Sequence, residues 1–243
     1  MKSSEYETMY RVEDAHWWYR SLRAWIRSTL DAQAAKGRLL DIGCGTGANL
    51  AMLGEDFEAT GVDYSPDALR NCAHRGLNRV AQANALTLPF SSSSFDIALM
   101  MDLLYHRDVP DKHAALAEGA RVLRPGGVLL LNVPAYEWLR SSHDEAIQTG
   151  HRFTRREVVS LLESAGLQVL RVTYWNAALF PAIALLRFWR RHSTHSGSDL
   201  EGYREGVAGK FLGGVLGLER ALLRYVDLPF GVSIFAVAQR PEA

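Results

Sequence analysis

The chain has 243 residues, with 27 basic and 27 acidic side chains and an apolar share of 48%. This length and composition are typical of one large α/β domain with additions, or of two small domains, and they argue against a disordered chain or a coiled coil. Zero formal net charge argues against nonspecific nucleic-acid binding, which needs an excess of Lys and Arg.

Cysteine content and hydropathy indicate the compartment. Cys44 and Cys72 are too few for a disulfide framework and lack the CxxC spacing of a zinc site. The first residues carry charges where a secretory signal has an apolar core. The longest apolar run, residues 177–186, contains Pro181 and is far shorter than the ~20 residues of a membrane-spanning helix. We therefore expect a cytoplasmic protein without stable membrane insertion.

Strand and helix patterns alternate along most of the chain. A helix-forming preface covers residues 5–35. Apolar runs then predict strands at residues 38–43, 58–63, 79–83, 95–102, 128–133, 168–174 and 232–239. Helical patterns fall between them at residues 48–53, 67–74, 111–123 and 154–166. This alternation predicts a parallel sheet with right-handed crossovers.

Four regions follow from this pattern. They are an N-terminal helical cap (1–36), a core (37–176), a helical insertion (177–228) and a last strand (229–243). Within the insertion, two helical patterns flank the polar stretch 192–201. Gly209, Gly213 and Gly217 recur every four residues, which favours packing or dimerisation. The alternative is that residues 180–189 rest on a membrane surface.

A glycine-rich segment, DIGCGTG at 41–47, ends a predicted buried strand and opens a helix. Glycines there let the backbone turn tightly and let a ligand approach the amides of a helix N-terminus. Asp63 stands twenty residues after Gly43, at the end of the next strand, where a carboxylate can bind both hydroxyls of a ribose. Loop, acid and flanking strands together predict a nucleoside-type cofactor.

The glycine loop alone does not identify the cofactor. Gly43, Gly45 and Ala48 satisfy the relaxed dinucleotide pattern, so an NAD-dependent oxidoreductase is one alternative. Against it, Gly47 comes one position early, and the chain has no Tyr-x-x-x-Lys pair for hydride chemistry.

Four motifs together resemble a known family. DIGCGTG (41–47), GVDYS (61–65), the segment 84–106 and RVLRPGGVLLLNVP (121–134) resemble the successive motifs of class I S-adenosylmethionine-dependent methyltransferases of the methyltransferase domain 11 type. The resemblance covers about residues 37–175. It implies a Rossmann-like, seven-stranded, mostly parallel sheet with helices on both faces and an antiparallel last strand. It also implies S-adenosylmethionine as cofactor and S-adenosylhomocysteine as product.

The resemblance also assigns a cofactor role to eleven residues. Asp41 would hold the ammonium group beside the glycine loop, Asp63 the ribose and Tyr64 the adenine. Asn84 stands where the family usually has an aspartate, and its amide can still pair with adenine. The alternative role for Asp102 is a loop cap, and the alternative role for Met101 is a position in the core. The full set is Asp41, Gly43, Cys44, Gly45, Gly47, Asp63, Tyr64, Asn84, Ala85, Met101 and Asp102.

Candidate catalytic residues follow the fourth and fifth strands, at the edge where such sheets bind ligands. His106, preceded by Tyr105, is the first candidate base, and a plain surface histidine is the alternative. His143 and His151, with Tyr136, lie in a loop of about twenty residues, a length typical of a binding loop. We favour a hydrogen-bonding or base role over a metal site, and we predict no metal.

The run His16, Trp17, Trp18 and Tyr19 predicts either an aromatic lid over the acceptor or a staple that fixes the preface to the sheet. Taken together, the features predict methyl transfer to an O, N or C nucleophile of a small aromatic or apolar molecule by a monomer or homodimer. Nucleic acid is disfavoured because no Asn/Asp-Pro-Pro-aromatic motif follows the fourth strand. The alternatives are a cofactor-binding protein without methyl transfer, such as a cyclase or regulatory subunit, and the NAD-dependent oxidoreductase.

Overall fold

The computed structural model describes residues 3–190 and 206–242. Its strands are β1 (Arg38–Ile42), β2 (Glu58–Asp63), β3 (Val80–Gln82), β4 (Phe95–Met101), β5 (Leu123–Pro134), β6 (Gln168–Trp175) and β7 (Ser233–Gln239). Its α-helices are α1 (Ser3–Val12), α2 (Trp17–Ala32), α3 (Ala48–Leu53), α4 (Pro66–His74), α5 (Lys112–Val122), α6 (Ser142–Ala146), α7 (Arg155–Ser164), α8 (Phe180–Arg190) and α9 (Val207–Leu222).

The strands form one seven-stranded sheet in the order β3-β2-β1-β4-β5-β7-β6. Strands β1 to β5 pair in parallel, whereas β7 runs antiparallel to both of its neighbours. The predicted fold class is thereby confirmed. The chain leaves β1 toward β2 on one side and returns as β4 on the other, so a crevice opens between the ends of β1 and β4. Open α/β sheets bind ligands at such a switch point.

Apolar side chains on both faces of the sheet hold the helices in two layers. On one face, Leu116 of α5 and Leu162 of α7 pack against the sheet. On the other face, Ile26 of α2 and Leu216 of α9 do so. Complete burial of a Leu or Ile side chain contributes about 1.5–3 kcal/mol. The same packing fixes the strand ends that carry the candidate site.

Two predicted boundaries differ from the structure, and one predicted stretch lies outside the described residues. The preface is two helices, α1 and α2, rather than one continuous element. Strand β5 begins at Leu123 rather than Val128, because Leu123 already pairs with Phe95 across an irregularity in the ladder. The insertion does contain helices α8 and α9, but the predicted polar stretch 192–201 lies outside the described residues.

The glycine repeat of the insertion has a packing role at one position. A Cβ atom on Gly213 would lie 3.8 Å from the Cβ of Trp17, so this glycine faces α2. A Cβ atom on Gly217 would meet open space. In the described parts of the chain, no helix is both long and apolar enough to span a bilayer.

Candidate functional site

A cavity of about 1090 Å³ opens at the carboxyl ends of the central strands. Its volume lies at the top of the roughly 300–1,000 Å³ that single small-molecule sites occupy, which leaves room for a cofactor and a second molecule. The predicted site residues in its wall are His16, Trp17, Trp18, Tyr19, Gly43, Cys44, Gly45, Asp63, Tyr64, Asn84, Ala85, Met101, Asp102, Tyr105, His106 and His143. Asp41, Gly47, Tyr136 and His151 are not in the wall.

The glycine loop after β1 has a backbone that other residues cannot adopt without strain. Gly43, Gly45 and Gly47 all have positive φ, at 77°, 55° and 84°. A Cβ atom on Gly43 would lie 2.8 Å from Leu103 Cδ1, and one on Gly47 would lie 2.5 Å from Leu77 Cδ1. Both conformation and space therefore require glycine here. Gly47 does not reach the cavity, and its role is to begin α3.

Asp63 ends β2 and is held by two backbone amides. The Gly45 N–H donates to its Oδ2 at 2.9 Å, and the Ser65 N–H donates to its Oδ1 at 2.9 Å. The side chain is almost completely buried, and this burial raises its pKa. Asp63 therefore joins the glycine loop to β2, and each oxygen retains a lone pair for a ligand hydroxyl.

Asp41 lies within β1, directly behind the cavity wall. It is fully buried, and neither carboxylate oxygen has a hydrogen-bond partner that meets normal geometry. Burial raises its pKa to about 7, against a smaller opposing contribution from the Asn49 side chain. A buried carboxyl group without partners is costly unless another group compensates it.

Asp102 directly follows β4 in a left-handed conformation, with φ 55°. The Asn132 amide donates to its Oδ1 at 2.9 Å, and the Trp175 indole donates to Asn132 Oδ1 at 2.8 Å. The side chain reaches solvent only through the cavity, and this desolvation raises its pKa to about 7. Strain and a fixed orientation at a cavity wall are typical of functional positions.

The neighbouring predicted cofactor residues differ in environment. Tyr64 is 67% exposed and lies at the cavity edge. The Asn84 amide oxygen already accepts the Leu86 N–H at 2.9 Å, which gives this residue a turn-forming role as well. Met101 belongs both to the core and to the cavity wall.

Sequence patterns gave no sign that α1 would close the cofactor end. Tyr6 and Met9 line the cavity from this helix, and Glu13 lines it from the turn directly after the helix. Glu13 is buried, accepts a hydrogen bond from Thr46 of the glycine loop and pairs with Arg75 at 2.7 Å. The i, i+3, i+7 spacing of these three residues would have placed them on one helix face, but not against the loop.

The second end of the cavity contains the candidate bases. His106 has a side-chain exposure of 14%, and its Nδ1 lies 3.8 Å from Asp108 Oδ2. Burial lowers its pKa to about 4, so the ring is neutral at physiological pH. Tyr105 stacks on it with ring centroids 5.2 Å apart. Both residues therefore occupy the predicted position after β4.

His143 lines the cavity, but its neighbour Asp144 does not act as a partner for it. Asp144 is 1% exposed and accepts a hydrogen bond from Arg152 Nη1 at 2.6 Å. Burial acts to raise the pKa of Asp144, but Arg152 outweighs it and the pKa lies below its usual value. Asp144 thus belongs to a structural ion pair.

Two predicted site residues, His151 and Tyr136, lie outside the cavity. His151 lies 3.4 Å from Glu157 at the N-terminus of α7, where Thr154 and Glu157 form the predicted capping box. Tyr136 stacks on Tyr174 with centroids 5.2 Å apart. The structure brings neither side chain to the cavity, because each packs on the outer side of the loop that follows β5.

The aromatic run packs on the core and also lines the cavity, and its role as a lid over the acceptor stays a prediction. His16 caps α2, since its Nδ1 accepts the Trp18 N–H at 3.3 Å. Trp18 packs on Trp175 with centroids 5.5 Å apart, and Trp17 and Trp18 both border the core. Both tryptophans and Tyr19 also line the cavity. Elsewhere in the wall, Thr149 Oγ1 and Asn176 Oδ1 are buried without hydrogen-bond partners.

The charges of the cofactor end fit a cationic ligand. Glu5, Glu13, Asp63 and Asp102 line this end, Arg23 is a cation in the same cavity wall, and Asp41 lies behind the wall with no cation beside it. A cofactor with a sulfonium and an ammonium group matches this set of carboxylates. Among residues 3–190 and 206–242, no group of three or more His, Cys, Asp or Glu side chains is arranged to hold a metal ion.

Comparison with known proteins agrees with this site. Residues 40–131 match the model of a methyltransferase domain. The chain is 31% identical over 158 residues to the O-methyltransferase resE of Aspergillus sclerotiorum, covering 58% of this chain and 59% of that protein. It is 34% identical over 184 residues to a fatty-acid O-methyltransferase of Mycolicibacterium smegmatis, covering 70% and 64%. This chain covers between 55% and 66% of the length of the first three curated relatives.

Solved structures share the fold at low identity. A methyltransferase of Thermotoga maritima aligns with a TM-score of 0.61 and 21% identity, covering 98% of this chain and 95% of that one. The [4+2]-cyclase SpnF aligns with a TM-score of 0.53 and 23% identity, covering 86% and 76%. These two show the fold alone. With the matching domain model and the carboxylate-lined site, residues 40–131 carry a methyltransferase domain of the S-adenosylmethionine-dependent type.

Proposed function

We propose that the protein transfers a methyl group from S-adenosylmethionine to a hydroxyl or carbon nucleophile of a small, largely apolar molecule. The observation that carries this proposal is one continuous cavity with two unlike ends. One end holds the glycine loop and Asp63, and the other holds His106 and apolar side chains from α8, Ile183 and Leu186. Relatives named for O-methyl transfer and for ubiquinone/menaquinone C-methyl transfer support the reaction type.

The cofactor end supplies binding and orientation. Asp63 would accept the ribose hydroxyls, Tyr64 would pack against adenine, and Asp41 would compensate the ammonium group. When bound, S-adenosylmethionine supplies a methyl group on an electrophilic sulfonium. The protein then needs mainly to align the nucleophile and to exclude water. Trp17, Trp18 and Tyr19 close this side of the cavity and serve the second purpose.

The acceptor end supplies an apolar surface with a few polar groups. Thr149 and Asn176 present polar atoms that lack partners, and such groups orient a substituent of the acceptor. His106 Nε2 would accept the proton of an acceptor hydroxyl. With a pKa of about 4, the imidazole is a neutral acceptor across the physiological range but a weak base. A base this weak would take the proton of a phenol as the oxygen–methyl bond forms, because the hydroxyl becomes strongly acidic at that point.

The test is release of S-adenosylhomocysteine. Purified protein is incubated with S-adenosylmethionine and a panel of phenols, quinols and fatty acids, and the product is quantified by mass spectrometry. Cofactor binding with no product from any acceptor would favour the alternative of a protein that uses this fold without methyl transfer, as the likeness to a cyclase illustrates. Calorimetry with NADH in place of S-adenosylmethionine tests the oxidoreductase alternative.

His106→Gln tests the proposed proton acceptor, with His151→Gln as the matched histidine outside the cavity. Turnover of an active phenol should fall about a hundredfold in His106→Gln, with unchanged cofactor affinity. It should stay near wild type in His151→Gln. Wild-type turnover at saturating S-adenosylmethionine that rises through pH 7 would instead assign the proton to Asp102, whose pKa is about 7.

A further inference from the structure

Helix α9 is apolar on two opposite faces. Its inner face contributes Leu216 and Leu223 to the core beside α2. Glu219, also buried, accepts the Ala178 N–H at 2.8 Å and thereby joins α9 to the residues before α8. This inner face accounts for the position of the helix. It does not account for the apolar residues on the other side.

The outer face carries an exposed apolar stripe, defined as Val207, Phe211, Leu218, Leu222 and Tyr225. The exposed fractions are 69% for Phe211, 76% for Leu218 and 86% for Tyr225. Spacings of three, four and seven residues place the stripe within roughly 80° around the helix axis. A helix face that points to solvent is ordinarily polar. An exposed apolar patch of this kind marks an interaction surface.

The charges beside the stripe have one sign. Lys210 in α9 and Arg224 just after it lie beside the stripe and are exposed, whereas Arg220 projects from the opposite side of the helix. The only acidic side chain of α9 is Glu219, which is buried on the inner face. Just beyond the helix, Asp227 pairs with Arg171 at 2.7 Å. An apolar stripe flanked by cations is complementary to a bilayer that contains anionic lipids, because the side chains enter the interface while the cations meet the headgroups.

Helix α8, which precedes α9 in the chain, also carries exposed apolar side chains, and one of them lines the cavity. Leu186 lines the cavity wall and is also 48% exposed, and Leu185 beside it is exposed as well. Phe180 at the start of α8 contacts the exposed Phe230 with ring centroids 5.4 Å apart. Apolar surface is therefore present both on α9 and at the mouth of the cavity, as an acceptor that dissolves in a membrane would require.

We infer that the outer face of α9 docks the protein on an anionic membrane surface. The contact is peripheral and depends on the stripe together with its flanking cations. This inference goes beyond the proposed function and does not rest on it, since a bound bilayer and a bound cofactor are measured separately.

Vesicle co-sedimentation tests the inference, with mixed phosphatidylcholine and phosphatidylglycerol vesicles against pure phosphatidylcholine. The wild-type protein should bind the mixed vesicles more tightly, and added salt should weaken this binding. Leu218→Ser and Phe211→Ser should each reduce binding about tenfold, because each removes a side chain from the apolar interface. Lys210→Ala and Arg224→Ala should each reduce it about fivefold.

Leu170→Ser is the matched control, because Leu170 is an exposed leucine on β6, outside the stripe. It should bind vesicles as the wild type does. All variants should keep the wild-type melting temperature and S-adenosylmethionine affinity, since the replaced side chains face solvent. Equal binding to both vesicle types, or an equal loss in Leu170→Ser, would overturn the inference. So would a dimer in sedimentation velocity that Leu218→Ser disperses without any vesicle binding, since a second copy would then cover the stripe.

Discussion

The two ends of the cavity differ in whether a buried carboxyl group has a cationic partner. At the cofactor end, Asp41 is buried without a hydrogen-bond partner, and burial raises its pKa to about 7. At the acceptor end, Asp144 is equally buried but pairs with Arg152 at 2.6 Å, and its pKa is lowered. The first carboxyl group still needs a cation, whereas the second already has one. This difference predicts a cationic ligand at the first end and an acceptor with little charge at the second.

The largest expected effect is on the paired carboxylate. Asp144→Ala should lower the free energy of unfolding by about 3–5 kcal/mol, because it leaves the Arg152 guanidinium buried without its counter-ion. Urea unfolding followed by circular dichroism measures this. The control is Asp31→Asn, which removes the exposed Arg27–Asp31 pair and should cost less than about 1 kcal/mol. A loss in Asp144→Ala no larger than in the control would show that the acceptor end is not held by this pair.

The next effect concerns the ribose position at the cofactor end. Asp63→Ala should weaken S-adenosylmethionine binding by about 1.5–3 kcal/mol, the usual contribution of hydrogen bonds to a charged group. Titration calorimetry measures the change. Because Asp63 also accepts the Gly45 and Ser65 amides, Asp63→Asn is the informative companion. Asp63→Asn keeps one acceptor oxygen, so its loss of S-adenosylmethionine affinity should be smaller than that of Asp63→Ala. Unchanged affinity in both variants would remove Asp63 from the cofactor site.

The contrast between the two ends also explains what the sequence could predict. The cofactor end is built by short loops within one strand-helix-strand unit, so Gly43, Gly45 and Asp63 were found from spacing alone. The rest of the site combines segments far apart in the chain: the preface at the cofactor end, and the loop after β5 and helix α8 at the acceptor end. Their approach depends on tertiary packing. A local pattern therefore could not show that His151 turns to Glu157 or that Glu13 reaches Thr46.

A smaller effect, on the pH dependence of stability, tests whether the buried Asp41 carboxyl group needs a cationic ligand. Between its ordinary pKa of 3.8 and about 7, the folded protein keeps a proton that the unfolded chain has lost. Stability therefore falls as pH rises through this window, and above it a buried charge remains. Asp41→Asn should stabilise the ligand-free protein by about 2–3 kcal/mol more at pH 8 than at pH 5, because at pH 5 the folded carboxyl group is still neutral and only the unfolded chain has lost the proton.

The same variant should bind S-adenosylmethionine more weakly at pH 8. The wild-type affinity should decline as pH falls from 8 to 6, because the Asp41 carboxyl group becomes protonated. In Asp41→Asn this decline should be smaller. Thermal unfolding at both pH values, with and without the cofactor, separates the two contributions. A variant less stable than wild type at pH 8 would show that another group of the protein already compensates Asp41.

The smallest effect compares a tyrosine at the cofactor end with a tyrosine outside the cavity. Tyr64 is 67% exposed and, as the proposed adenine contact, should matter only when the cofactor is bound. Tyr64→Ala should weaken S-adenosylmethionine binding by about 0.5–1.5 kcal/mol without changing the melting temperature. Tyr136 instead stacks on Tyr174 away from the cavity. Tyr136→Ala should therefore lower the melting temperature and leave cofactor affinity unchanged. Calorimetry and thermal unfolding of both variants give the comparison, and if Tyr136→Ala weakened the cofactor as much as Tyr64→Ala, the two positions would not be energetically separate.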